Sequence, residues 1–380
     1  MVVACDSFKG SLTAREASSA VADGVRAVLG DSVSAVCVPV ADGGEGTVEM
    51  IAGALGGEIV TVEVADPLGR PVVANYAIVR LKGEDVPTAV IELAQASGLT
   101  RLSAEERNPL VTSTRGTGQL IVDAYSRGCR RFMIGLGGSA TNDGGAGILQ
   151  ALGVRFIGED GNELTDGGAA LADLDWIDTS LMRSDIMRCR FTVLCDVDNP
   201  LVGSRGASVV FAPQKGASQA DVARLDYALG RYGRCLRSLT GEDVASMPGA
   251  GAAGGAAVAF IAFFDSVLVP GITTALNMVG FDRIISDASL IITGEGHLDA
   301  QTLSGKAPFG VLEAGKGAGI PVIALAGGVD DAGALLDAGF SYVSSIVPSG
   351  MTHAEAMKKE AALCNLHNAA ISATRRFFRL

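Results

Sequence analysis

The sequence predicts an α/β protein with a parallel sheet assembled from both ends of the chain. Short apolar runs alternate with segments of helical apolar spacing near the N-terminus and again toward the C-terminus, the signature of β-α units. Several of the predicted strands end in loops of Gly, Asp and Glu. Residues 62 to 285 change character, to a β-meander followed by helices and Gly-rich turns.

In chain order, Val2–Cys5 reads as a buried strand. Thr13–Leu29 carries Ala17, Ala20, Val21, Val25 and Val28 at helical spacing, and Thr13 with Glu16 forms a capping box. Val33–Val40 is a second strand, Asp42-Gly43-Gly44-Glu45-Gly46 a tight turn and Thr47–Leu55 a helix. Toward the other end, Leu290–Thr293 is a strand ending in Gly294-Glu295-Gly296, and Ala307–Gly317 is a helix. Pro321–Ala326 is a strand ending in Gly327-Gly328, Ala332–Ala338 a helix, Tyr342–Val347 a strand and His353–Phe377 a helical tail. One domain therefore takes residues 1–61 and 286–380. An inserted domain takes 62–285, with meander strands at Val60–Val64, Val72–Val79 and Ala89–Leu93. A cleft between two domains is a favoured ligand site.

Composition narrows the function. The net charge is −12 and no Lys/Arg block occurs, so a nucleic-acid partner is not expected. Seven Cys without a C-x-x-C pair fit a reduced, cytoplasmic compartment. Three His are too few for a His-rich metal site. The start MVVACDSF has no basic region and no long apolar stretch, so no signal peptide is read there. Uncharged Met247–Phe264 is rich in Gly and Ala in its first half and reads as a buried loop and core helix, not a membrane span.

The strongest local signal runs from Phe132 to Gly147, an apolar strand entering a Gly-rich loop and then a helix at Ile148–Leu152. Such a loop lets backbone N–H groups converge on an anion, helped by the helix dipole. Ser139, Thr141 and Asn142 can add donors, and Asp143 can reach magnesium; a Gly-rich connection with a capping side chain is the plainer alternative. The same stretch contains Gly135-x-Gly137-x-x-Ala140, with Glu159 and Asp160 further on, which makes a nicotinamide dehydrogenase the rival reading. No Walker A loop occurs: Gly310 to Gly317 has Gly where Ser or Thr is needed and reads as helix.

Three loops follow strands at one expected sheet edge, where open parallel sheets bind ligands. They carry Asp6 with Lys9, Asp42 with Glu45, and Glu295 with His297 and Asp299. In the middle of the chain Asp196 and Asp198 in Cys195-Asp-Val-Asp-Asn-Pro200 suit a metal ligand and a general base, or an Asx-turn before proline. Arg115 suits a carboxylate or phosphate, or a surface salt bridge, and Lys215 stands near a turn.

Taken together, DSFKGSLTA (6–14), PVADGGEGT (39–47), ELAQASGL (92–99), NPLVTSTRGTGQLI (108–121), IGLGGSATNDGGAG (134–147), CDVDNPLVG (195–203), FAPQKGA (211–217), MPGAGAAGG (247–255), TGEGHLDAQTLSGKAP (293–308) and PVIALAGG (321–328) resemble the bacterial glycerate kinase family, of the glycerate 2-kinase type. The segments span nearly the whole chain in order. The resemblance implies phosphoryl transfer from ATP to D-glycerate with Mg2+. It also implies a flavodoxin-like domain interrupted by a mixed α/β domain, with the active site in the cleft between them. Another small hydroxy acid as acceptor, or 3-phosphoglycerate as product, remains open.

On that reading Gly137, Gly138, Ser139, Thr141, Asn142 and Gly144 face the nucleotide, and Asp143, Asp196 and Asp198 are candidate metal ligands. Asp196 is preferred to Asp42 as the base, with Lys9 and Lys306 neutralising charge; Ser7, Arg115, Glu295, His297 and Asp299 are the substrate-binding candidates. The expected partners are small molecules, with no nucleic acid and no membrane, and the expected state is a monomer or homodimer.

Overall fold

The computed structural model describes residues 1–30, 33–299 and 302–380; Ala300 and Gln301 of the TGEGHLDAQTLSGKAP segment fall outside the described residues. In chain order the strands are β1 (Val2–Cys5), β2 (Val36–Cys37), β3 (Glu58–Ala65), β4 (Pro71–Val79), β5 (Thr88–Glu92), β6 (Arg131–Gly135), β7 (Arg155–Gly158), β8 (Leu174–Asp178), β9 (Arg190–Leu194), β10 (Asp265–Val269), β11 (Ile291–Leu298), β12 (Val322–Val329) and β13 (Tyr342–Ser345). The protein is α/β with parallel sheets. It divides into two compact units, residues 1–42 with 270–380, and residues 43–269.

The first unit holds a five-stranded sheet in the order β13-β12-β11-β1-β2, every pairing parallel. Helix Ala14–Leu29 covers it with the helical tail, and Val3, Val21, Val25, Ile292, Leu325 and Leu366 are among the core they share. Thr13 and Glu16 close the expected capping box, with each side chain bonding the other's backbone N–H. The tail is two helices, His353–Ala356 and Lys359–Phe378, rather than one. Regular strand over the expected 33–40 stretch is limited to Val36–Cys37 at the sheet edge. Even so, the N–H groups of Val36, Val38 and Val40 donate in turn to the carbonyls of Met1, Val3 and Cys5.

β11 runs five residues beyond its expected end at Thr293, through Gly294-Glu295-Gly296 to Leu298. The cause is β12, which pairs Glu295 with Ala326 and His297 with Gly328. A Cβ at 327 would stand 2.6 Å from the Gly296 carbonyl oxygen, so glycine there lets the two backbones lie this close. Glu295 and His297 thus stand on a rigid strand and not in a loop.

The second unit is built on a six-stranded mixed sheet, β10-β9-β6-β5-β4-β3. β5, β6, β9 and β10 are parallel, and β3, β4 and β5 form the antiparallel meander. Its core includes stacked Phe132 and Phe191, with Phe260 and Phe264 against them. Phe260 comes from the buried helix Ala256–Phe263, within the stretch read as core from the sequence. Among the described residues no helix is long and apolar enough to cross a membrane.

The boundaries at 42/43 and 269/270 differ from the expected 61/62 and 285/286. Helix Thr47–Leu55 buries Val48, Ile51 and Ala52 and packs on β4 and β5, which draws it into the second unit. Helices Gly271–Val279 and Phe281–Ile285 pack on helix Ala307–Ala318, with Ile272 against Gly310, and so join the first. That same helix confirms that 310–317 is no phosphate loop.

The long helix Gln219–Thr240 starts from a capping box between Ser218 and Asp221. Ser218→Ala is expected to lower the stability of the second unit by about 1 kcal/mol, read as a lower urea midpoint at unchanged turnover.

Candidate functional site

In the first unit the chain leaves β1 into a buried Asp6, whose Oδ1 accepts the Ser7 N–H at 2.6 Å. Burial drives the Asp6 carboxyl well above the ordinary carboxylate range, the charge of Asp42 adds to the rise, and Glu295 contributes in the same sense. Glu295 is itself raised, first by burial and then by Asp42, while Lys306 and Lys9 oppose the shift. Thr302 Oγ1 donates to Glu295 Oε1 at 3.0 Å. Asp42, Lys9 and Lys306 thus act on the buried Asp6 and Glu295. Lys306 also lies 3.5 Å from Asp299 Oδ1, which accepts the Thr302 N–H at 3.0 Å. His297 faces Asp330 at 3.0 Å. The Ser7 hydroxyl is buried with no hydrogen-bond partner among the described residues.

In the second unit three segments meet at the carboxyl ends of β5 and β6. Leu93 N–H donates to Gly135 O at 2.8 Å, Leu99 N–H to Gly138 O at 2.9 Å and Ala140 N–H to Ser97 O at 2.9 Å, so 93–99 backs the glycine loop. From another side Gly137 N–H donates to Gly43 O at 3.2 Å. A Cβ at 135 would stand 2.3 Å from Gly43 O, and one at 137 would stand 2.6 Å from Gly44 Cα. Glycine is required at both positions because two backbones touch there.

The helix after the loop, Ala146–Ala151, does not offer its N-terminus to a ligand. The fully buried Asp143 carboxylate accepts N–H groups from Thr114 (2.8 Å), Gly145 (3.1 Å) and Gly147 (3.2 Å), and the Thr114 hydroxyl (2.8 Å). Thr114 Oγ1 takes the Ile148 N–H as well. The expected magnesium role for Asp143 is not what its surroundings favour: the carboxylate is wholly buried and accepts four hydrogen bonds from Thr114, Gly145 and Gly147. Asn142 donates its amide to Ser208 Oγ at 2.9 Å, and Thr141 and Asn142 are wholly buried. Gly144 N–H is spent on Gly254 O. Within 135–147 only Gly137 and Gly138 reach solvent appreciably, with Ser139 beside them.

Ser139 is tied to the most informative residue left off the candidate set. Lys215, 1% exposed, donates from Nζ to Ser139 Oγ at 2.7 Å and to Thr141 O at 2.6 Å. Burial pulls its pKa down to about 7, against the opposing charge of Asp143. Glu92 was missed as well. Its carboxylate, at the end of β5, accepts the Val48 N–H at 2.7 Å and the Gln95 amide at 3.3 Å, and burial pushes its pKa up to about 7. The only sequence signal for either was its place inside a family-like segment.

Two other candidates are engaged elsewhere. Arg115 forms a two-pronged pair with Asp166 at 2.7 and 2.6 Å, so the salt-bridge alternative describes it and the substrate-carboxylate role does not. Asp198 pairs with Arg205 at 2.6 Å, which holds its carboxyl below the usual range. Asp196 is exposed on the loop after β9. Among the described residues no group of three or more His, Cys, Asp or Glu side chains is arranged to hold a metal by itself.

Comparison with known proteins gives a consistent result. The model of the glycerate kinase family matches residues 1–377. The glycerate kinase of Halalkalibacterium halodurans is 46% identical over 360 residues, covering 94% of this chain and 93% of that protein. The glycerate 2-kinase of Escherichia coli K12 is 45% identical over 362 residues, covering 94% and 93%. A crystal structure from Salmonella typhimurium LT2, provisionally named glycerate kinase 2, superposes with a TM-score of 0.82 at 40% identity, covering 100% of this chain and 98% of that one.

Lys215 sets a stability test. Its folded pKa of about 7 lies below the unfolded value of about 10.4, so between these the unfolded chain binds more protons. Stability relative to Lys215→Met should then be flat below about pH 7 and rise toward pH 10. Urea midpoints of both proteins at pH 6, 7 and 9 read this directly; parallel curves would contradict it.

Proposed function

The chain belongs to the glycerate kinase family, and we propose that it transfers the γ-phosphate of ATP to the 2-hydroxyl of D-glycerate, giving 2-phosphoglycerate and ADP. The observation that carries the reading is the glycine loop at Gly135–Ser139, braced by two neighbouring segments and supplied with a buried ammonium. The name of the Escherichia coli relative supports the 2-position. The first unit is read as a flavodoxin-like domain, supported by its strand order, 2-1-3-4-5 in its own numbering. The second is read as a mixed α/β domain inserted into it.

Each unit is assigned one task. The loop of the second unit holds phosphate oxygens through the backbone N–H of Gly138 and the hydroxyl of Ser139, with Gly137 tied to Gly43 O behind them. Because Ser139 Oγ accepts from Lys215, its own proton is left to donate to an anion, and the ammonium strengthens that donation. The first unit supplies the chemistry. Phosphoryl transfer needs alignment and charge neutralisation more than covalent chemistry. The glycerate hydroxyl oxygen bonds to the γ-phosphorus, the bridging oxygen leaves with ADP, and the hydroxyl proton passes to a carboxylate. We assign that carboxylate to Asp42, the least buried member of the Asp6–Asp42–Glu295 group, in preference to Asp196. Lys9 and Lys306 neutralise the transferring phosphate or the glycerate carboxylate.

Magnesium fits this donor set. The ion takes one or two carboxylates and completes its shell with phosphate oxygens and water, so a self-sufficient cluster is not required. Asp196 is the carboxylate that would hold it, and the ion supplies charge neutralisation on the phosphates.

Incubation with ATP, Mg2+ and D-glycerate, followed by phosphorus NMR, should give 2-phosphoglycerate. A 3-phosphoglycerate signal would overturn the regiochemistry, and no phosphorylated glycerate would overturn the acceptor. Asp42→Asn should lower kcat by about 10²- to 10⁴-fold with a modest change in KM; near-normal kcat removes Asp42 from the role.

A further inference from the structure

We propose that Glu92 is a positioning residue for phosphate binding: by holding the Val48 N–H it fixes the Gly43–Gly46 turn as the brace that shapes the Gly135–Gly138 loop for an anion. The inference rests on the reading of that loop as the phosphate site and adds a control point to it.

The geometry is specific. Glu92 is the last residue of β5 and stands directly beside Gly135 in the β5–β6 register. It is 1% exposed, and its hydrogen-bond partners are Val48 N–H and the Gln95 amide, so it acts through its neighbours. Oε1 accepts the N–H of Val48, the second residue of helix Thr47–Leu55. Immediately before that helix comes the Gly43–Gly46 turn, whose Gly43 carbonyl receives Gly137 N–H and whose backbone occupies the space beside Gly135 and Gly137. The next residue after Glu92, Leu93, donates to Gly135 O. Turn, strand end and glycine loop are therefore linked through one carboxylate.

An alanine at 92 would leave the Val48 N–H buried without an acceptor, the costly form of hydrogen-bond loss. The turn would then relax away from Glu92, and the glycine loop, which has the turn's backbone as one wall, would lose its register. The charged groups acting on Glu92 are Glu49 on the helix and Glu45 on the turn, both of the same sign as Glu92. β6 presents only Gly135 alongside, and Arg101 donates to Gln95 rather than to Glu92. With burial, these neighbours bring the carboxyl to about 7. An ionised carboxylate is the better acceptor for Val48 N–H, so the brace tightens as pH rises through neutrality. The stability sign runs the other way: the folded pKa lies above the unfolded one, so protonation of Glu92 favours folding below about pH 4.3 and that contribution is lost as pH rises to about 7.

The test uses the full chain, with ATP and Mg2+ as the probe. Affinity is measured by calorimetry from pH 6 to 8.5 in wild type, Glu92→Gln and Glu92→Ala, each checked for folding by thermal melting. At pH 8 Glu92→Ala should bind ATP about tenfold more weakly, the loss of one charge-assisted hydrogen bond. Glu92→Gln keeps an acceptor oxygen for Val48 and should stay close to wild type at one pH near neutrality. The ratio of wild-type to Glu92→Gln affinity should nevertheless fall as pH drops below about 7, because only the carboxylate titrates. Unchanged ATP affinity in folded Glu92→Ala overturns the inference, and so does a wild-type to Glu92→Gln ratio that is flat with pH. If Glu92→Ala does not fold, the Glu92→Gln ratio decides alone. Wild type that binds ATP with this pattern but leaves glycerate unphosphorylated supports the inference and removes only the acceptor.

Discussion

Contact between two glycine backbones underlies the second unit's site. Gly43 and Gly44 lie against Gly135 and Gly137 so closely that a methyl group at either of the latter would overlap backbone atoms. Such an approach is open only to glycine, and it exposes polar backbone that must be satisfied. Gly137 N–H meets that demand on Gly43 O, Leu93 N–H on Gly135 O and Leu99 N–H on Gly138 O. The result is a loop with little freedom, whose remaining open surface is confined to Gly137 and Gly138 with Ser139 beside them. A phosphate-binding surface works best when its donors need no reorganisation on binding, and this packing supplies that rigidity.

Charge is arranged with the same economy in an acidic protein. The chain carries −12 overall, so long-range attraction does not bring a triphosphate to it. What matters is local: Lys215 beneath Ser139 in one unit, and Lys9 and Lys306 among Asp6, Asp42 and Glu295 in the other. In both places the cations are set against carboxylates whose ionisation burial makes costly. The raised Asp6 and Glu295 can carry protons at pH values where exposed carboxylates do not. A site that must neutralise phosphate charge and also accept a hydroxyl proton needs both kinds of group.

Much of this was legible in the sequence because it depends on local pattern. β1, helix Thr47–Leu55, helix Ala332–Ala338 and the Thr13–Glu16 cap follow from apolar spacing and capping chemistry. The gathering of Asp6, Asp42 and Glu295 follows from a rule about strand ends. What was not legible depends on partners far away in the chain. Asp143 reads as a metal ligand until Thr114 and three backbone donors are seen to fill its oxygens. Arg115 reads as an anion receptor until Asp166, fifty-one residues on, is seen to hold it. β11 reads as ending at Thr293 because its own glycines and those of β12 that let it continue are read as turns. The domain boundaries moved for a similar reason: short helices join whichever sheet buries their apolar face, and periodicity reveals the face but not the sheet.

Lys215 and Glu92 show where local reading stops. A Lys beside a turn and a Glu closing a strand both look like solvated surface, and most such residues are. Each is instead wholly buried, and each has its charge matched by donors or acceptors that organise the loop. Burying a charge costs several kcal/mol unless it is paired, and apolar replacements of similar volume would pack without that cost. A charge kept in such a position must therefore do something an apolar side chain cannot. At Ser139 that is to donate to the hydroxyl oxygen, so that the hydroxyl proton is not needed for Lys215. At Val48 it is to satisfy a helix N–H from a direction that only β5 can supply. Both roles concern the shape and polarity of one loop.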